Sequence, residues 1–330
     1  MIRTGNEQMN DQKDGIIKKN IEYIESRLGN NLENLDSFPR FFLIETIFAC
    51  NARCIMCPAS QSKRTKGRMP KEMILNILDQ IAVNKNTVER VQFYLHGEPC
   101  LDPDLPEWIS AAKSRGIQTT HVSTNGSLLT ENMSRRLLDA GLDQVYIAVD
   151  AAKDETLASI RIGLDLPTIK KNINQFLTLR DKKRLKTKVR ILMVVQEKNI
   201  SEVNAWFNYW QPRLSRHDEL FANRISNWGS QIDTGSFYQP VKPTLPCIYL
   251  FGTLPIMADG TIPLCCEDVH PVYTIGHIDQ ASIADIWNSQ QLKRYREYHI
   301  NGQREQMKLC NKCDVFSEDK YMRRESGLKN

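Results

Sequence analysis

The sequence lacks any long apolar run, since no stretch of about 18 or more consecutive apolar residues occurs among its 330 residues. Its first residues, MIRTGNEQMNDQKDG, also lack the apolar core of a secretory signal. The first absence excludes a membrane-spanning helix as an expectation, and the second gives no reason for export. We therefore predict a cytoplasmic chain with no membrane partner.

The sequence also lacks a large excess of charge of either sign. It has 44 lysines and arginines against 39 acidic residues, which gives a net charge of +5. This mild excess is compatible with an anionic small molecule and falls short of a nucleic-acid footprint. The basic run Arg180–Arg190 is interpreted as a solvated helix end before a strand. We predict no nucleic-acid partner.

Nine cysteines stand out against this ordinary composition. One tight group lies near residue 50, and a second group occupies the last quarter of the chain. Cytosolic thiols stay reduced, so structural disulfides are a poor interpretation here. The cysteines therefore favour metal binding or redox chemistry.

Strand and helix patterns alternate along most of the chain. An amphipathic helix is predicted near the start, where apolar residues from Ile16 to Leu28 recur at helical spacing. The predicted strands are Phe41–Thr46, Val91–Leu95, Thr119–Ser123, Gln144–Asp150, Lys188–Val195 and Leu220–Ile225. The predicted helices between them are Lys71–Val83, Leu105–Arg115, Thr130–Ala140, Leu166–Arg180 and Ser201–Trp210. Six such units predict an α/β fold with a parallel sheet, doubly wound or curled as an open barrel.

The first cysteine group, Cys50, Cys54 and Cys57, follows the first predicted strand with the spacing C-x3-C-x2-C. Thiolates are soft ligands that suit iron–sulfur clusters, zinc or copper(I). A closed zinc site needs a fourth ligand, and no cysteine or histidine lies nearby in the sequence. Three thiolates instead suit a 4Fe–4S cluster with one open iron. A loop after a parallel strand lies at the carboxyl end of a barrel, where catalytic residues gather.

At these three cysteines the sequence resembles the radical S-adenosylmethionine (SAM) superfamily, and the resemblance extends from about Phe41 to the C-terminus. It implies a partial (β/α)6 TIM-like barrel. It also implies that the open iron chelates SAM, whose reductive cleavage gives a 5′-deoxyadenosyl radical that abstracts hydrogen from a substrate. The alternative is a zinc-binding or purely structural cysteine knuckle.

Further motifs follow in the order that the superfamily implies. The tetrapeptide His96-Gly97-Glu98-Pro99 resembles the Gly-Gly-Glu-Pro motif that contacts the SAM amino group, with His in place of the first Gly. By the same resemblance, three further features are expected to contact SAM. They are the turn after the third predicted strand, the residue that ends the fourth, and Arg161. The SAM-binding residues expected on this basis are Gly97, Glu98, Pro99, Ser123, Asn125, Asp150 and Arg161.

The second cysteine group and its surroundings resemble the SPASM/twitch auxiliary domain that follows some radical SAM barrels. Spacing alone leaves a zinc site and an iron–sulfur cluster open. The resemblance implies one auxiliary 4Fe–4S cluster, because the chain has too few cysteines for two. The expected ligands are Cys247, Cys265, Cys310 and Cys313, with Cys266 as an alternative to Cys265. Cys100 is interpreted as a buried free thiol.

The predicted organisation has four parts. Residues 1–39 form a partly helical N-terminal extension, 40–226 the barrel, 227–245 a polar linker, and 246–330 the auxiliary domain. Cofactors implied by the resemblance are two 4Fe–4S clusters and SAM.

Three reactions remain open from the sequence. The first is oxidation of a carbohydrate or aminocyclitol alcohol, with the auxiliary cluster accepting an electron. The second is modification of a peptide, although the 39 residues before the barrel are fewer than an added peptide-binding domain needs. The third is redox-neutral epimerisation, with Cys100 or Cys266 as hydrogen donor. We favour a small-molecule substrate, with flavodoxin or ferredoxin as the reducing partner. No catalytic base can be named from sequence; Arg224 and Asp268 are candidates by location only.

Overall fold

The computed structural model describes residues 5–29, 32, 37–229, 231–233, 245–315 and 321–322. The first four residues of the predicted N-terminal extension lie outside the described residues. Most of the predicted linker and the end of the predicted auxiliary domain lie outside them as well.

The strands and helices of this part of the chain alternate through the first two thirds. The strands are β1 Phe41–Ile44, β2 Ile47–Phe48, β3 Arg53–Cys54, β4 Gly67–Arg68, β5 Arg90–Gln92, β6 Thr120–Thr124, β7 Gln144–Ala148, β8 Arg161–Ile162, β9 Lys188–Val195, β10 Glu219–Arg224, β11 Thr253–Ile256, β12 Thr261–Pro263, β13 Thr274–His277 and β14 Tyr321–Met322. The helices are α1 Gly5–Leu28, α2 Lys71–Val83, α3 Leu105–Ser114, α4 Glu131–Asp139, α5 Asp154–Ile160, α6 Leu166–Lys182, α7 Val203–Trp210, α8 Tyr249–Gly252, α9 Ile283–Trp287 and α10 Gln290–Ile300.

One large sheet forms the framework, in the order β11-β1-β5-β6-β7-β9-β10-β14. Seven of these strands are parallel to their neighbours, and β14 pairs antiparallel with β10. From β1 to β10 the spatial order follows the chain order, with no reversal in the middle of the sheet. A doubly wound sheet reverses at a switch point, whereas a barrel winds in one direction. The fold is therefore an α/β partial TIM barrel, as the sequence predicted.

All six predicted strands are present: Lys188–Val195 agrees at both ends, and the ends of the others shift by at most three residues. The structure adds a seventh parallel strand, β11, which the sequence analysis had assigned to the auxiliary domain. It pairs with β1 along its whole length, from Thr253 beside Phe41 to Ile256 beside Ile44. All four residues of β11 are buried. Because four apolar residues show no periodicity that separates a sheet strand from a hairpin strand, the sequence could not place it.

Period-two alternation gives the sheet two different faces. In β9 the residues Val189, Ile191, Met193 and Val195 are buried under the helices, while those between them are half-buried and face the barrel interior. The predicted solvated helix end at 180–190 is partly wrong. Arg180 is 3% exposed and forms an ion pair with Asp218, and the run continues into β9.

The C-terminal segment packs against both the barrel and the N-terminal helix. Gly260 lies in the turn between β11 and β12, where its φ of +88° favours glycine, and β12 then pairs antiparallel with β13. Asn20 of α1 donates hydrogen bonds from Nδ2 to the carbonyls of His299 and Ile300 in α10, at 3.3 and 3.0 Å. The two ends of the described chain are thereby joined on one side of the barrel.

The position of β11 within the main sheet predicts a large stability effect for its buried side chains. Ile256→Ala should lower the free energy of unfolding by about 2–5 kcal/mol, because Ile256 is fully buried and the substitution leaves a cavity. The matched control is Ile200→Ala, because the Ile200 side chain is 45% exposed. This variant should change the free energy of unfolding by roughly 0.5 kcal/mol or less. Urea titration of cluster-loaded protein measures both. Equal, small losses would contradict the placement of β11.

Candidate active site

A cavity of about 350 Å³ opens at the carboxyl ends of the parallel strands. Cavities of roughly 300–1,000 Å³ hold cofactors and small ligands in proteins. Most of the sequence-predicted site residues lie on its wall, namely Cys50, Cys54, Cys57, Gly97, Glu98, Ser123, Asn125 and Arg161. Residues separated by more than a hundred positions in the sequence are thus brought to one site.

The cysteine loop is fixed by a short antiparallel pairing of β3 with β8, in which Cys54 lies beside Arg161. The guanidinium of Arg161 donates from Nη1 to the Cys54 sulfur at 3.7 Å. Burial raises the pKa values of all three thiols, that of Cys50 to about 11. Metal binding must therefore displace their protons.

The three thiols line one cavity without closing on a point. Among the described residues, no three His, Cys, Asp or Glu side chains gather as ligands of one metal ion. Thiolates spread around a cavity suit the separate irons of a cluster better than a single zinc ion. The donor set therefore fits a 4Fe–4S cluster.

Gly97 lies where no side chain can fit. A Cβ atom there would stand 2.2 Å from the carbonyl oxygen of Ile47 and 2.8 Å from that of Ala49. Because both contacts are with backbone, no flexible side chain can move away. The glycine lets this loop pack directly on the segment that leads into Cys50.

Glu98 is buried, and its carboxylate accepts hydrogen bonds from the neighbouring loops. Oε1 accepts hydrogen bonds from the Thr124 hydroxyl at 2.6 Å and the Cys100 amide at 3.0 Å, and Oε2 accepts one from the Asn125 amide at 2.8 Å. Burial raises the pKa of Glu98, and these hydrogen bonds oppose that effect. The carboxylate thereby fastens the turn after β6 to the loop after β5. Pro99 is buried at the start of a 3-10 turn and does not line the cavity.

Hydrogen bonds also join the turn after β6 to the cysteine loop. Asn125 donates from Nδ2 to the Asn51 side-chain oxygen at 3.0 Å, and Asn51 donates to the Ser127 hydroxyl at 2.8 Å. Asn51 lies next to Cys50 in the sequence. These bonds set the distance between the thiols and the wall formed by Ser123 and Asn125.

Asp150 lies behind Arg161 and does not line the cavity. Its Oδ2 accepts a hydrogen bond from Arg161 Nε at 2.7 Å, and its Oδ1 accepts one from the Val194 amide at 2.8 Å. Burial acts to lower the pKa of Arg161, but Asp150 outweighs it and raises that pKa. The structure thus gives Asp150 the role of orienting Arg161, while its predicted contact with the SAM ribose stays a prediction.

Sequence reasoning missed the buried group that surrounds Glu45 at the end of β1. Its carboxylate binds the Arg64 guanidinium and accepts hydrogen bonds from the amides of His96 and Ala258 at 3.1 and 2.9 Å. A charged residue that ends an apolar strand, as in FFLIE, was the available signal.

The imidazole of His96 links the barrel to the C-terminal segment. Arg64 contacts His96 Nδ1 at 3.2 Å, and His96 Nε2 lies 2.8 Å from the carbonyl oxygen of Cys266. A guanidinium can only donate and a carbonyl can only accept. Nε2 is therefore the nitrogen that donates to the carbonyl of Cys266, and Nδ1 also lies 3.5 Å from Glu45 Oε1. This histidine is the position where the motif departs from Gly-Gly-Glu-Pro.

The thiols of the second cysteine group lie near enough to act on one another electrostatically. Cys247, Cys310 and Cys313 are buried, and burial raises the pKa of each thiol, with the electrostatic effect of Cys265 adding to it. The guanidinium of Arg304 opposes these shifts. Arg304 also donates to the carbonyl of Cys310 at 3.3 Å. Four thiols beside one buried cation fit a fully ligated iron–sulfur cluster.

The neighbouring residue Cys266 forms a side-chain hydrogen bond with Cys265 that raises the pKa of the Cys265 thiol. Cys266 also lines a different cavity, inside the barrel, and raises the pKa values of Tyr94 and Tyr249 there, although burial is the larger cause. Cys265 as the ligand, with Cys266 as the alternative, stays a prediction.

Two other candidates fall in different places. Asp268 accepts hydrogen bonds from the amides of Val272 and Tyr273, both at 2.9 Å, which assigns its carboxylate to a turn. Arg224 lines the active-site cavity.

Comparisons with known proteins agree with this geometry. The family described as the radical SAM superfamily matches residues 44–205, and the SPASM family, an iron–sulfur cluster-binding domain, matches residues 247–314. The chain belongs to the radical SAM superfamily. Within it, the chain is an enzyme with a C-terminal SPASM domain, and its cofactors are SAM, the 4Fe–4S cluster that binds it, and an auxiliary cluster.

Two curated relatives cover most of the chain. A tungsten-containing aldehyde ferredoxin oxidoreductase cofactor-modifying protein of Pyrococcus furiosus is 24% identical over 78% of this chain and 83% of its own length. The S-adenosyl-L-methionine-dependent 2-deoxy-scyllo-inosamine dehydrogenase of Niallia circulans is 22% identical over 84% of this chain and 95% of its own length.

Solved structures share the fold. BtrN in complex with AdoMet and 2-DOIA superposes with a TM-score of 0.60 at 19% identity, covering 86% of this chain and 95% of BtrN. Streptococcus suis SuiB bound to precursor peptide SuiA gives a TM-score of 0.67 at 15% identity, covering 90% of this chain and 73% of SuiB. None of the helices in the described part of the chain is long and apolar enough to cross a membrane.

The contact of Gly97 with backbone predicts that Gly97→Ala damages the site. The added methyl group must push the loop away from Ile47 and Ala49, so SAM affinity should fall by roughly tenfold or more. Gly67→Ala is the matched control, because a Cβ there meets nothing within 4 Å. Equilibrium binding of SAM to cluster-loaded protein measures both. Equal affinities for the two variants would contradict the close approach at Gly97.

Proposed function

We propose that this enzyme oxidises an alcohol of a carbohydrate or aminocyclitol by two electrons. The observation that carries the proposal is the single set of four thiols, Cys247, Cys265, Cys310 and Cys313, connected to the active-site cavity by hydrogen bonds. Four protein ligands leave no open iron for SAM, so a cluster held there is suited to electron transfer.

Two sets of hydrogen bonds connect the active-site cavity with the segment that carries the four C-terminal thiols. The first is the bond from His96 to the carbonyl of Cys266. The second involves Asn227, in the loop after β10, whose amide donates to both oxygens of Asp314 at 3.1 and 3.2 Å and whose side chain donates to the Lys312 carbonyl at 2.6 Å. Residues of that same loop, including Trp228, line the active-site cavity.

Bound together in the cavity, SAM and its cluster supply the radical that removes hydrogen from a substrate carbon. The substrate radical would then become a carbonyl by losing its hydroxyl proton to water and one electron to the auxiliary cluster, which the four C-terminal thiols would hold. The chain's own residues orient the reactants: Asp150 holds Arg161, and Glu98 holds the turn at Asn125. We propose Cys50, Cys54 and Cys57 as ligands of the SAM-binding cluster and the four C-terminal thiols as ligands of the auxiliary cluster. A flavodoxin or ferredoxin is the proposed source of electrons.

The supporting relative is the 2-deoxy-scyllo-inosamine dehydrogenase, whose length this chain nearly spans. Peptide modification is the alternative.

The test is an anaerobic reaction with SAM and a reductant, in which 5′-deoxyadenosine is measured by mass spectrometry. Separate reactions contain a pool of sugars and aminocyclitols, a pool of peptides, or no substrate. Stimulation by the alcohol pool, with a product two mass units lighter, supports the proposal. Stimulation by peptides alone would contradict it and assign the enzyme to the peptide-modifying class.

Cysteine variants separate the two clusters. Cys54→Ala should form no 5′-deoxyadenosine above background, because one ligand of the SAM-binding cluster is lost. Cys310→Ala should keep SAM cleavage and lose the oxidised product. Cys100→Ala is the matched control, since this buried thiol contacts the Thr124 hydroxyl at 3.6 Å and does not line the cavity. Full turnover by Cys310→Ala would show that the auxiliary cluster takes no part in the reaction. Loss of turnover in Cys100→Ala would favour the epimerase alternative.

A further inference from the structure

A second cavity, here called the inner chamber, lies deeper in the barrel and encloses about 250 Å³. Its lining includes Arg90, Gln92, Tyr94, Tyr146, Arg190 and Tyr249, together with Thr253 and Cys266. Apart from Cys266, none of them was predicted as a site residue. The first six come from β5, β7, β9 and the segment that precedes β11, so the chamber is part of the barrel interior.

The inner chamber and the active-site cavity are successive layers of the same interior. On β7, Tyr146 lines the inner chamber and Ala148 lines the active-site cavity; on β9, Arg190 and Val194 do the same. These pairs are two and four residues apart, or roughly 7 and 13 Å along a strand. Tyr94 lines both cavities and lies where they meet. A molecule the size of a substituted sugar can reach from one layer to the other.

Two guanidinium groups converge in the inner chamber on one oxygen atom. Arg90 donates from Nη1 to the Tyr146 hydroxyl at 3.3 Å, and Nη1 of Arg190 donates to the same hydroxyl. Arg190 also lies over the Tyr146 ring, with its guanidinium carbon 4.2 Å from the ring centroid. Two like charges that share one acceptor repel each other unless anions neutralise them.

Only part of this charge is neutralised by the described residues. Arg190 and Lys188 both form ion pairs with Glu219, so one carboxylate serves two cations. Arg90 contacts the Gln144 side chain at 3.2 Å and the Phe41 ring, and it contacts no carboxylate within the described residues. Its Nε is buried without a hydrogen-bond partner there. The chamber therefore carries an excess of positive charge.

None of the described side chains that line the chamber is a carboxylate, although Glu267 acts electrostatically on Tyr94 from outside the lining. His121 stacks on Tyr146 with ring centroids 3.8 Å apart and is fully buried, with Nε2 unpartnered among the described residues. Burial and the two arginines lower its pKa, so it is neutral. Burial raises the pKa of Tyr94, which keeps that phenol protonated. A planar guanidinium with free donors is suited to a phosphate or a carboxylate.

We propose that the inner chamber binds an oxyanion group, phosphate or carboxylate, carried by the alcohol that the enzyme oxidises. The anion lies between Arg90 and Arg190, and the rest of the molecule extends past Tyr94 to the active-site cavity. This inference rests on the proposed function and narrows it, because it favours an anionic carbohydrate over a cationic aminocyclitol.

The first test measures the chamber without turnover. Cluster-loaded protein is saturated with SAM, so that the active-site cavity is occupied, and is titrated with inorganic phosphate at constant ionic strength. Phosphate should bind and raise the midpoint of thermal unfolding. Failure of phosphate to bind would overturn the proposal.

Arg90→Gln identifies the residue that binds the anion. The variant should bind phosphate at least roughly tenfold more weakly, because a charge-assisted hydrogen bond is lost. Without phosphate its unfolding midpoint should equal or exceed that of the original protein, since a repulsion is removed. Arg90→Lys should bind with intermediate affinity. Arg135→Gln is the matched control, because Arg135 is exposed on α4 and pairs only with Glu131 at the surface among described residues. Unchanged phosphate affinity in Arg90→Gln would overturn the assignment.

The second test separates this inference from the proposed function. 5′-Deoxyadenosine formation is compared among phosphorylated or carboxylated sugars, neutral sugars, aminocyclitols and peptides. Stimulation by the anionic sugars, lost in Arg90→Gln and kept in Arg135→Gln, supports the inference. Equal or greater stimulation by neutral sugars or aminocyclitols overturns it and leaves the proposed function intact. Stimulation by peptides alone overturns both.

Discussion

The buried carboxylate of Glu45 joins three segments of the chain at the carboxyl end of β1, and the geometry of the active site depends on it. It binds Arg64 after the cysteine loop, the amide of His96 after β5, and the amide of Ala258 after β11. Burial acts to raise the pKa of Glu45, but the hydrogen bonds to His96 and Arg64 outweigh it and lower that pKa. Removal of one partner of such a buried pair costs about 3–5 kcal/mol. The charge is therefore fixed in place, and with it the three loops.

The same group explains how the barrel and the SPASM domain act as one unit. The imidazole of His96 contacts Arg64 at Nδ1 and the carbonyl of Cys266 at Nε2, next to the proposed auxiliary ligand Cys265. Strand β11 and Ala258 attach the start of the C-terminal segment to β1. Hydrogen bonds, and not only packing, therefore hold the segments that carry the two sets of thiols against each other, which suits the proposed electron transfer to the auxiliary cluster.

Much of this was predictable, for identifiable physical reasons. The six parallel strands gave clear apolar signals, and the triplet Cys50, Cys54 and Cys57 is specific in its spacing and its position after the first strand. The seventh strand was missed because Thr253–Ile256 is too short for periodicity to decide its sheet. Asp150 was recognised as a strand-end polar residue, but only its bonds to Arg161 and Val194 give it an orienting role. The pairing of Arg90 with Arg190 could not be predicted, because a contact that two separate strands make with one tyrosine leaves no local pattern in the sequence.

The most direct test of the central claim is electron paramagnetic resonance of the reduced protein, with and without SAM, combined with iron and sulfide analysis. The account predicts iron and sulfide for two 4Fe–4S clusters per chain and two overlapping signals. SAM should change one signal only, and Cys54→Ala should remove that signal while the other persists. Zinc without sulfide, or a single signal that SAM leaves unchanged, would contradict the account.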